Sequence, residues 1–489
     1  MTRPPDPSAP LRIAVVGHTN AGKTSLLRTL TRRVDFGEVS SRPGTTRHVE
    51  AVVLRVEGRD AVRFLDTPGL EDAVALLAHV GTLPGDTRLA RIRSFLAGPE
   101  ARGSFEQEAK VLRALVDEAD AAFVVIDTRE PVLPKYRDEI ELLAACGRPL
   151  MPVLNFMRDP ASREEPWRSM LAESGLHAVV RFDAAAPFTG AERDLYTDLG
   201  TLLPQRREEL RAVIAHVERE ADERRAEACR LIAAQLVDCA ALRDEIQGAD
   251  WDDPARRQRA VEQLREKARA RAQRGVEALL SLYGFRAGDA AEAPLPALEG
   301  RNSADLFNPD LLKRAGLQLG SGAVVGAALG VVADLAVGGA SLGAGAALGG
   351  TLGGLLSQGW GPFGRRVMGL LSGVHELSVE DAALYVMAQQ QLHLVHALEQ
   401  RGHGADAPPV AASGGAPGHG HGDGDDDDAM RSVARAVVAT RPARAHPEWA
   451  RQGGLRERLA GPSGEYTETV DAAADALQDA ASALGTRAA

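Results

Sequence analysis

A glycine-rich loop that ends in Lys-Thr lies close to the start of the chain. The stretch GHTNAGKT, residues 17–24, matches the spacing G-x-x-x-x-G-K-[ST]. Gly17 and Gly22 let the backbone curl so that its N–H groups point at phosphate oxygens, and a helix starting behind them adds a favourable dipole. Lys23 can reach the β and γ phosphates of a nucleotide, and the Thr24 hydroxyl suits Mg²⁺. The spacing therefore predicts a nucleoside triphosphate site.

Two further segments supply the oxygen ligands and phosphate contacts that such a site needs. FLDTPG, residues 64–69, ends an apolar run and offers Asp66 to the Mg²⁺ shell and the Gly69 N–H to the γ-phosphate. RPGTTRH, residues 42–48, lies between the loop and that run, where one threonine hydroxyl would complete the metal coordination. The order and separation of the three segments are more specific than any one of them alone.

These segments require a sheet that brings them to one edge. Apolar runs predict strands at 11–16, 61–65, 121–126 and 149–154. Helical stretches alternate with them at 23–33, 105–118 and 135–146. The alternation predicts an α/β domain with a mostly parallel sheet and helices on both faces. We place this domain at residues 11–200, with an insertion at 70–104, after a disordered N-terminus at 1–10.

The three segments resemble the first three sequence boxes of the Era/TrmE-type branch of bacterial P-loop GTPases, which is HSR1-related. The likeness covers about residues 10–190. It implies GTP, GDP and Mg²⁺ as ligands, and attack of water on the γ-phosphate as the reaction. It also implies that Thr46, rather than its neighbour Thr45, is the switch-one threonine that changes its contacts with the nucleotide state.

Motif and resemblance together define the predicted site. The catalytic residues are Lys23, Asn20, Thr46 and Gly69, and the metal ligands are Thr24, Thr46 and Asp66. Nucleotide contacts are assigned to Gly17, His18, Thr19, Asn20, Ala21, Gly22, Lys23, Thr24, Ser25, Asp66, Asn155, Asp159 and Ala184.

Two positions indicate how hydrolysis would be accelerated. In the resembling branch, an Asn at the position of Asn20 helps to hold a monovalent cation, K⁺, which neutralises charge between the β and γ phosphates. Ras-like enzymes orient water with a Gln directly after the third-box Gly, and Leu70 stands there instead. We expect weak basal turnover that K⁺ or a nucleotide-dependent homodimer increases. The alternative is that Asn20 only caps the loop.

The base-recognition segment departs from the pattern of the resembling branch. VLNFMRD, residues 153–159, keeps Asn155, but Phe156 replaces the usual Lys and Arg158 replaces the usual Asp. Phe156 would stack on a purine. Asp159, one residue late, would accept the guanine N1 and N2 protons if the loop bulged.

The fifth box is also degenerate, because it offers Asp183 and Ala184 where Ser-Ala is usual. The first three boxes favour GTP. A purine-nucleotide ATPase with loose base selectivity is the alternative.

The rest of the chain predicts an all-α region. Its parts are long charged helices at 205–314, a helical segment at 357–401, a disordered acidic linker at 402–428 and a helical tail at 429–489. Glycines recur at four-residue spacing within 315–356, and basic residues flank it, which suits a membrane-inserted helical hairpin with Asp334 near its tip. A tightly packed helical hairpin in a soluble domain has the same composition. The whole arrangement resembles bacterial GTPases with a C-terminal domain of unknown function.

Composition narrows the compartment and the partners. A formal net charge of −11 does not indicate a protein that binds nucleic acid through its overall charge. Three cysteines without metal-type spacing, and an N-terminus without an apolar leader, predict a reduced cytoplasmic location, at the inner face of the membrane if 315–356 inserts. The functional alternatives are an RNA- or ribosome-assembly switch with incidental turnover and a dynamin-like membrane remodeller. The protein effector is not identified.

Overall fold

The computed structural model divides the chain into two units. They are Met1–Asp222 with Gln400–Pro409, and Glu223–Glu399 with Val410–Ala489. The described residues are 9–32, 49–184, 187, 190–285, 307, 312, 315, 319, 331–334, 374–400, 423–451 and 463–485. Thr45 and Thr46 therefore lie outside the described residues. So do residues 1–8 of the N-terminus, which the sequence predicts to be disordered.

A six-stranded sheet forms the centre of the first unit. Its strands are β1 (Leu11–Val16), β2 (Glu50–Val56), β3 (Arg59–Asp66), β4 (Ala121–Asp127), β5 (Leu150–Asn155) and β6 (Val180–Arg181). The order is β2-β3-β1-β4-β5-β6. Strand β2 pairs antiparallel with β3, and the other neighbouring strands pair in parallel. The predicted mostly parallel sheet is confirmed.

Helices cover both faces of this sheet. They are α1 (Lys23–Thr31), α2 (Ala73–Thr82), α3 (Arg88–Ala97), α4 (Glu106–Arg113), α5 (Pro134–Ala144), α6 (Glu164–Glu173) and α7 (Ala191–Leu202). Short turns of 3₁₀-helix at Glu100–Arg102 and Pro204–Arg206 and a π-helical turn at Ala114–Glu118 complete the set. The 70–104 insertion thus contributes α2 and α3.

Strand β1 shows why the sheet needs cover on both faces. Ile13 and Val15 belong to the hydrophobic core that includes α1 and α7. Ala14 and Val16 belong to the opposite core, which includes side chains of α2 to α6. Successive side chains of a strand point to opposite faces, so a strand buried on both faces reads as a continuous apolar run.

The strand order also fixes where a ligand can bind. After β1 the chain continues to β2 and β3 on one side of β1, and after β3 it crosses to β4 on the other side. The strand order therefore reverses at β1, and the connections diverge at its carboxyl end. In open α/β sheets this divergence opens a crevice for ligands. The residues after β1 are those of the glycine-rich loop, which therefore lies at the crevice.

The second unit is largely helical. Its elements are the end of α8 (Arg207–Ala240), β7 (Arg243–Gln247), α9 (Gly248–Trp251), α10 (Pro254–Leu282), β8 (Val331–Asp334), β9 (Val374–Val379), α11 (Asp381–Glu399), α12 (Asp423–Ala439) and α13 (Gly464–Gly485). Turns of 3₁₀-helix occupy Arg441–Ala445 and Pro447–Arg451.

The C-terminal region is largely helical, as the sequence predicts, but it also contains a small sheet. Strands β7, β9 and β8 form an antiparallel sheet in that order. Within the helical segment predicted at 357–401, Val374–Val379 form β9, in which Leu377 and Val379 are buried at alternate positions. That period of two belongs to a strand, and the register with β7 uses it.

Two further segments differ from the sequence prediction. Helix α12 begins at Asp423, inside the linker expected to be disordered, and acidic residues in a first helical turn are favoured by the helix dipole. Within the glycine-rich segment, Val331–Asp334 form a strand rather than a helix, and most of 315–356 lies outside the described residues. Among the described helices, none combines the length and apolar character needed to cross a membrane.

Candidate functional site

Three residues with positive φ curl the loop between β1 and α1. They are Gly17 at 138°, Asn20 at 66° and Gly22 at 91°. Gly22 also lies against the Asn155 side chain. A Cβ at this position would collide with Asn155 Nδ2, so only glycine permits the contact. Helix α1 begins directly after Gly22, so its first N–H groups and its dipole face the inside of the loop. The backbone is therefore arranged to receive an anion.

The Lys23 ammonium lies folded into this loop. Its Nζ donates to the carbonyl oxygens of Gly17 at 3.0 Å and His18 at 2.9 Å, and the side chain is buried. Burial lowers the pKa of Lys23 from its ordinary value, against the opposing charges of Asp66 and Glu139. A buried cation held by neutral carbonyls is a strong site for a polyanion.

A hydroxyl and a carboxylate meet at the start of α1, next to the lysine in sequence. Thr24 Oγ1 donates to Asp66 Oδ2 at 2.7 Å, which joins the start of α1 to the end of β3. Asp66 is 1% exposed, and burial is the main reason why its pKa is raised to about 6. Within the described part of the chain, Asp66 Oδ1 has no hydrogen-bond partner. Hard oxygen ligands with one buried oxygen unsatisfied fit Mg²⁺.

The segment after β3 packs against the glycine-rich loop. The Leu70 N–H donates to the Gly17 carbonyl at 3.3 Å, and Thr67 Oγ1 donates to the Val15 carbonyl at 2.7 Å. Gly69 allows this approach, since a Cβ there would lie 2.6 Å from Thr19 Cα and 2.7 Å from Thr19 N. The predicted phosphate contact at Gly69 is thus adjacent to the loop.

Leu70 is a core residue and is 0% exposed. Its side chain therefore has neither the chemistry nor the position to orient water. The next two residues, at the start of the insertion, are anchored by α4, because the N–H groups of Glu71 and Asp72 donate to Glu108 Oε1 at 3.3 and 3.1 Å.

One carboxamide joins the loops that follow β1, β5 and β6. Asn155 Nδ2 donates to the Ala21 carbonyl at 3.0 Å. Asn155 Oδ1 accepts from the N–H groups of Phe156 and Ala184, each at 2.9 Å. The predicted residues Asn155 and Ala184 are therefore brought to the glycine-rich loop.

Phe156 is held in an uncommon conformation with φ 58°. The Arg129 guanidinium carbon lies 3.7 Å from the centre of its ring, and Arg129 is itself paired with Asp127 at 2.7 Å. One face of the ring is thus covered by Arg129, so the stacking that the sequence predicts would have to use the opposite face.

Asp159 has a local role in the structure. Its Oδ1 accepts from the Ala161 N–H at 2.8 Å, and its own N–H donates to the Phe156 carbonyl at 3.2 Å. The side chain therefore caps its own turn. A different carboxylate, Asp183, accepts the Arg158 N–H with Oδ2 at 3.1 Å and is 3% exposed. The sequence signal for Asp183 is its place in the degenerate fifth box, before Ala184.

A charged cluster that the sequence did not predict lies on the other side of the loop. A cavity of about 280 Å³ is lined by residues of 18–21, the end of β4 and α5. His18 Nε2 lies 3.1 Å from Lys135 Nζ, and His18 Nδ1 lies 3.6 Å from Glu139 Oε2. An ammonium only donates, so Nε2 is the acceptor and the ring proton is on Nδ1, facing Glu139. Lys135 and Glu139 are four residues apart on one face of α5.

The structure thus gathers most of the predicted site at the carboxyl edge of the sheet. Gly17, His18, Thr19, Asn20, Ala21, Gly22, Lys23, Thr24, Ser25, Asp66, Gly69, Asn155 and Ala184 lie on the glycine-rich loop, the start of α1 and the ends of β3, β5 and β6. Asp159 lies in the loop after β5 with its carboxylate turned to Ala161, and Thr46 is outside the described residues.

Comparison with known proteins divides the chain into two matched parts. Residues 12–156 match the family model described as 50S ribosome-binding GTPase. Residues 168–462 match the model described as a domain of unknown function, DUF3482.

Curated relatives match a share of the chain. The probable GTP-binding protein EngB of Anaeromyxobacter sp. (strain K) is 31% identical over 144 residues, which are 28% of this chain and 56% of EngB. The tRNA modification GTPase MnmE of Halorhodospira halophila is 32% identical over 182 residues, 37% of this chain and 32% of MnmE. The chain thus spans less than two thirds of each of these relatives.

Among solved structures, Era in complex with MgGDPNP and nucleotides 1506–1542 of 16S ribosomal RNA is 20% identical. The match covers 35% of this chain and 50% of that one, with a TM-score of 0.27.

Proposed function

The chain belongs to the DUF3482 family and carries a P-loop GTPase domain that matches the 50S ribosome-binding GTPase model, and from this premise we propose that it hydrolyses GTP to GDP and phosphate as a nucleotide switch. The family resemblance drawn from the sequence boxes is confirmed by these matches. Hydrolysis, the catalytic role of each residue and the output of the switch are parts of the proposal.

The observation that carries the proposal is the arrangement at the start of α1. The Lys23 ammonium is buried in the curled loop, and the next residue, Thr24, is hydrogen-bonded to Asp66. Such an arrangement suits a triphosphate, whose charge would replace the carbonyl partners of Lys23. Thr24 and Asp66 would hold Mg²⁺, and the resemblance adds Thr46. Bound there, Mg²⁺ would draw charge from the phosphate oxygens and so assist cleavage of the bond between the γ-phosphate and GDP.

The chain's own groups would position the reaction. Backbone N–H groups of residues 18–24 bind the phosphate oxygens, and Lys23 spans the β and γ phosphates. The Gly69 N–H bonds the γ-phosphate and would sense its loss. Water attacks in line, and the developing negative charge is stabilised by these fixed donors. Because Leu70 is buried, no side chain at that position directs the water.

We propose that K⁺, held by Asn20, accelerates GTP hydrolysis in this chain, which lacks a water-orienting Gln at Leu70. Asn20 lies in the glycine-rich loop and lines the cavity next to Thr19. A monovalent cation there would neutralise charge between the β and γ phosphates. A nucleotide-dependent homodimer is the other device that the resemblance suggests, and both would raise a slow basal rate.

A nucleotide panel on the full chain tests the proposal. Lys23→Ala should weaken GTP binding by at least about 100-fold, because two charge-assisted phosphate contacts of roughly 1.5–3 kcal/mol each are lost. Lys110→Ala is the matched control, since Lys110 lies on α4 in a surface ion pair with Glu106 at 3.0 Å. Equal GTP affinity in the two variants would overturn the assignment of the phosphate loop.

The same panel decides between GTP and ATP. Competition of the two nucleotides, with Mg²⁺ and in Na⁺ or K⁺ buffer, should favour GTP and show faster phosphate release in K⁺. A preference for ATP would replace the GTPase by the ATPase alternative, as the altered segment around Phe156 and Arg158 allows.

The location and the partners remain predictions. We propose a cytoplasmic protein whose nucleotide state is passed to the helices after residue 205. Membrane association through 315–356 is tested by flotation with liposomes, comparing the full chain with a deletion of that segment. Lipid binding that survives the deletion would contradict the membrane-hairpin hypothesis.

A further inference from the structure

We infer that Asp183 is the carboxylate that reads the guanine base, in place of the Asp that is absent from the fourth box. The inference rests on the proposed GTP-binding function and names the residue that makes it selective. Guanine presents two adjacent donors, N1–H and the 2-amino group, and a carboxylate is the acceptor-only group that matches both. In this chain, position 158 carries Arg, which only donates.

The geometry places the Asp183 carboxylate beside residue 158, where the usual Asp is absent. Its Oδ2 accepts the backbone N–H of Arg158 at 3.1 Å, so the carboxylate lies against the residue from which the usual Asp side chain would project. The next residue, Ala184, donates its N–H to Asn155 Oδ1 at 2.9 Å. The fourth and fifth boxes are thereby fixed to each other within one residue of the carboxylate.

The burial of Asp183 indicates that the fold holds its carboxylate in a defined place. Asp183 is 3% exposed, although it follows a short edge strand, β6, on the surface of the domain. A carboxylate is costly to bury, and it is retained where its oxygens meet specific donors. In the protein, the Arg158 N–H is one of them. The base would supply further donors at the same place.

The neighbouring acidic residue is oriented differently. Asp159 Oδ1 accepts the Ala161 N–H at 2.8 Å, and the Ser162 N–H donates to the Asp159 carbonyl at 2.9 Å. These bonds tie Asp159 into a turn that leads towards α6, away from the junction between Asn155 and Ala184. The bulge that would bring Asp159 to the base would break them.

The test exchanges the acceptor for an amide. In Asp183→Asn, the side-chain oxygen still accepts the Arg158 N–H, and the amide can donate to the 2-oxo group of xanthine. GTP affinity of the full chain should fall about 10- to 100-fold, and xanthosine triphosphate should become the preferred nucleotide. Asp159→Asn is the matched control and should keep the GTP preference of the wild type.

A second variant protects the test against a folding defect. Asp183→Ser restores the residue type usual in the fifth box and can also accept the Arg158 N–H. Inosine triphosphate lacks the 2-amino group, so the wild type should bind it about 10-fold more weakly than GTP. Asp183→Ser should remove that difference.

The outcomes separate the two hypotheses. An inversion in Asp159→Asn, or an unchanged preference for GTP over inosine triphosphate in Asp183→Ser, would overturn the role of Asp183. A wild-type chain that binds neither GTP nor any other triphosphate would instead overturn the proposed function.

Discussion

Asn20 has a backbone conformation that few side chains adopt. Its φ of 66° is in the left-handed region, where Asn is several-fold enriched over other non-glycine residues. Two properties of Asn therefore suit this position. Asn tolerates the left-handed backbone of the loop, and its carboxamide oxygen would bind the proposed cation. The sequence offers the same two interpretations, as a cap or as a K⁺ ligand, and substitution can separate them.

Asn20→Gly should abolish stimulation of GTP hydrolysis by K⁺ while GTP affinity stays within about twofold, because Gly adopts positive φ without strain. Phosphate release measured in K⁺ and Na⁺ buffers, with affinity from a fluorescent GTP analogue, checks this result. Asn20→Ala is the comparison. It also lacks the carboxamide, and strain of roughly 1–2 kcal/mol in the loop should weaken its GTP binding too. K⁺ stimulation that persists in Asn20→Gly would leave only the backbone role.

Sequence and structure agree best at residues whose partners follow from a single motif. Lys23 and Thr24 lie in one loop, and Asp66 ends the neighbouring strand, so their proximity follows from parallel strand order. Asp183 could not be found this way, since its contact with Arg158 joins loops after different strands. The link between His18 and Lys135 is equally non-local. Spacing along the chain carries no signal for such pairs.

The segment after β3 acts as an element because it packs against the glycine-rich loop through its backbone. Gly69→Ala places a methyl group 2.6 Å from Thr19 Cα and 2.7 Å from Thr19 N, and these backbone atoms leave little room to adjust. Overpacking of this kind costs about 1–3 kcal/mol. We expect a lower unfolding temperature and a GTP affinity reduced about 5- to 100-fold, measured by calorimetry and nucleotide titration.

Gly81→Ala is the control for this substitution. Gly81 lies within α2, and a Cβ there meets nothing within 4 Å. Ala is the better helix former by roughly 0.5–1 kcal/mol, so this variant should be slightly more stable and bind GTP normally. If Gly69→Ala behaved like Gly81→Ala, the close approach to Thr19 would not be needed for binding.

At the scale of elements, period and length explain which predictions succeeded. Strands β1, β4 and β5 are continuous apolar runs, and a buried parallel strand requires that pattern. Strand β9 is short, precedes a helix and pairs with β7, which is distant in sequence. Its alternation covers too few residues to compete with the long helical pattern that follows, so the sequence assigned it to the helix.

The whole molecule contains three thiols, and each is buried in a hydrophobic core. Cys146 belongs to the first unit, and Cys229 and Cys239 belong to the second. Burial raises the pKa of each thiol from 9.0 to about 12. A thiolate is the reactive form, so native protein at about pH 8 should react very slowly with iodoacetamide, and denatured protein should react at all three sites. Rapid labelling of folded chain would contradict the burial.

The same shifts predict how stability depends on pH. The folded thiols bind protons more tightly than the unfolded ones, so their contribution is complete below the unfolded pKa of about 9 and is lost as pH rises towards 12. Urea midpoints should therefore fall above pH 9. A variant with all three cysteines changed to Ala should show a shallower decline. The remainder comes from tyrosines, because burial raises the pKa values of Tyr136, Tyr196, Tyr283 and Tyr385.

The carboxamide of Asn155 has a thermodynamic consequence for the domain. It bonds the phosphate-binding loop at Ala21 and the fifth box at Ala184. A displacement of one loop therefore either moves the other loop or breaks one of these hydrogen bonds. Coupling between sites is reciprocal, so the factor by which a correct base tightens the grip on the phosphates must equal the factor by which the phosphates sharpen the choice of base.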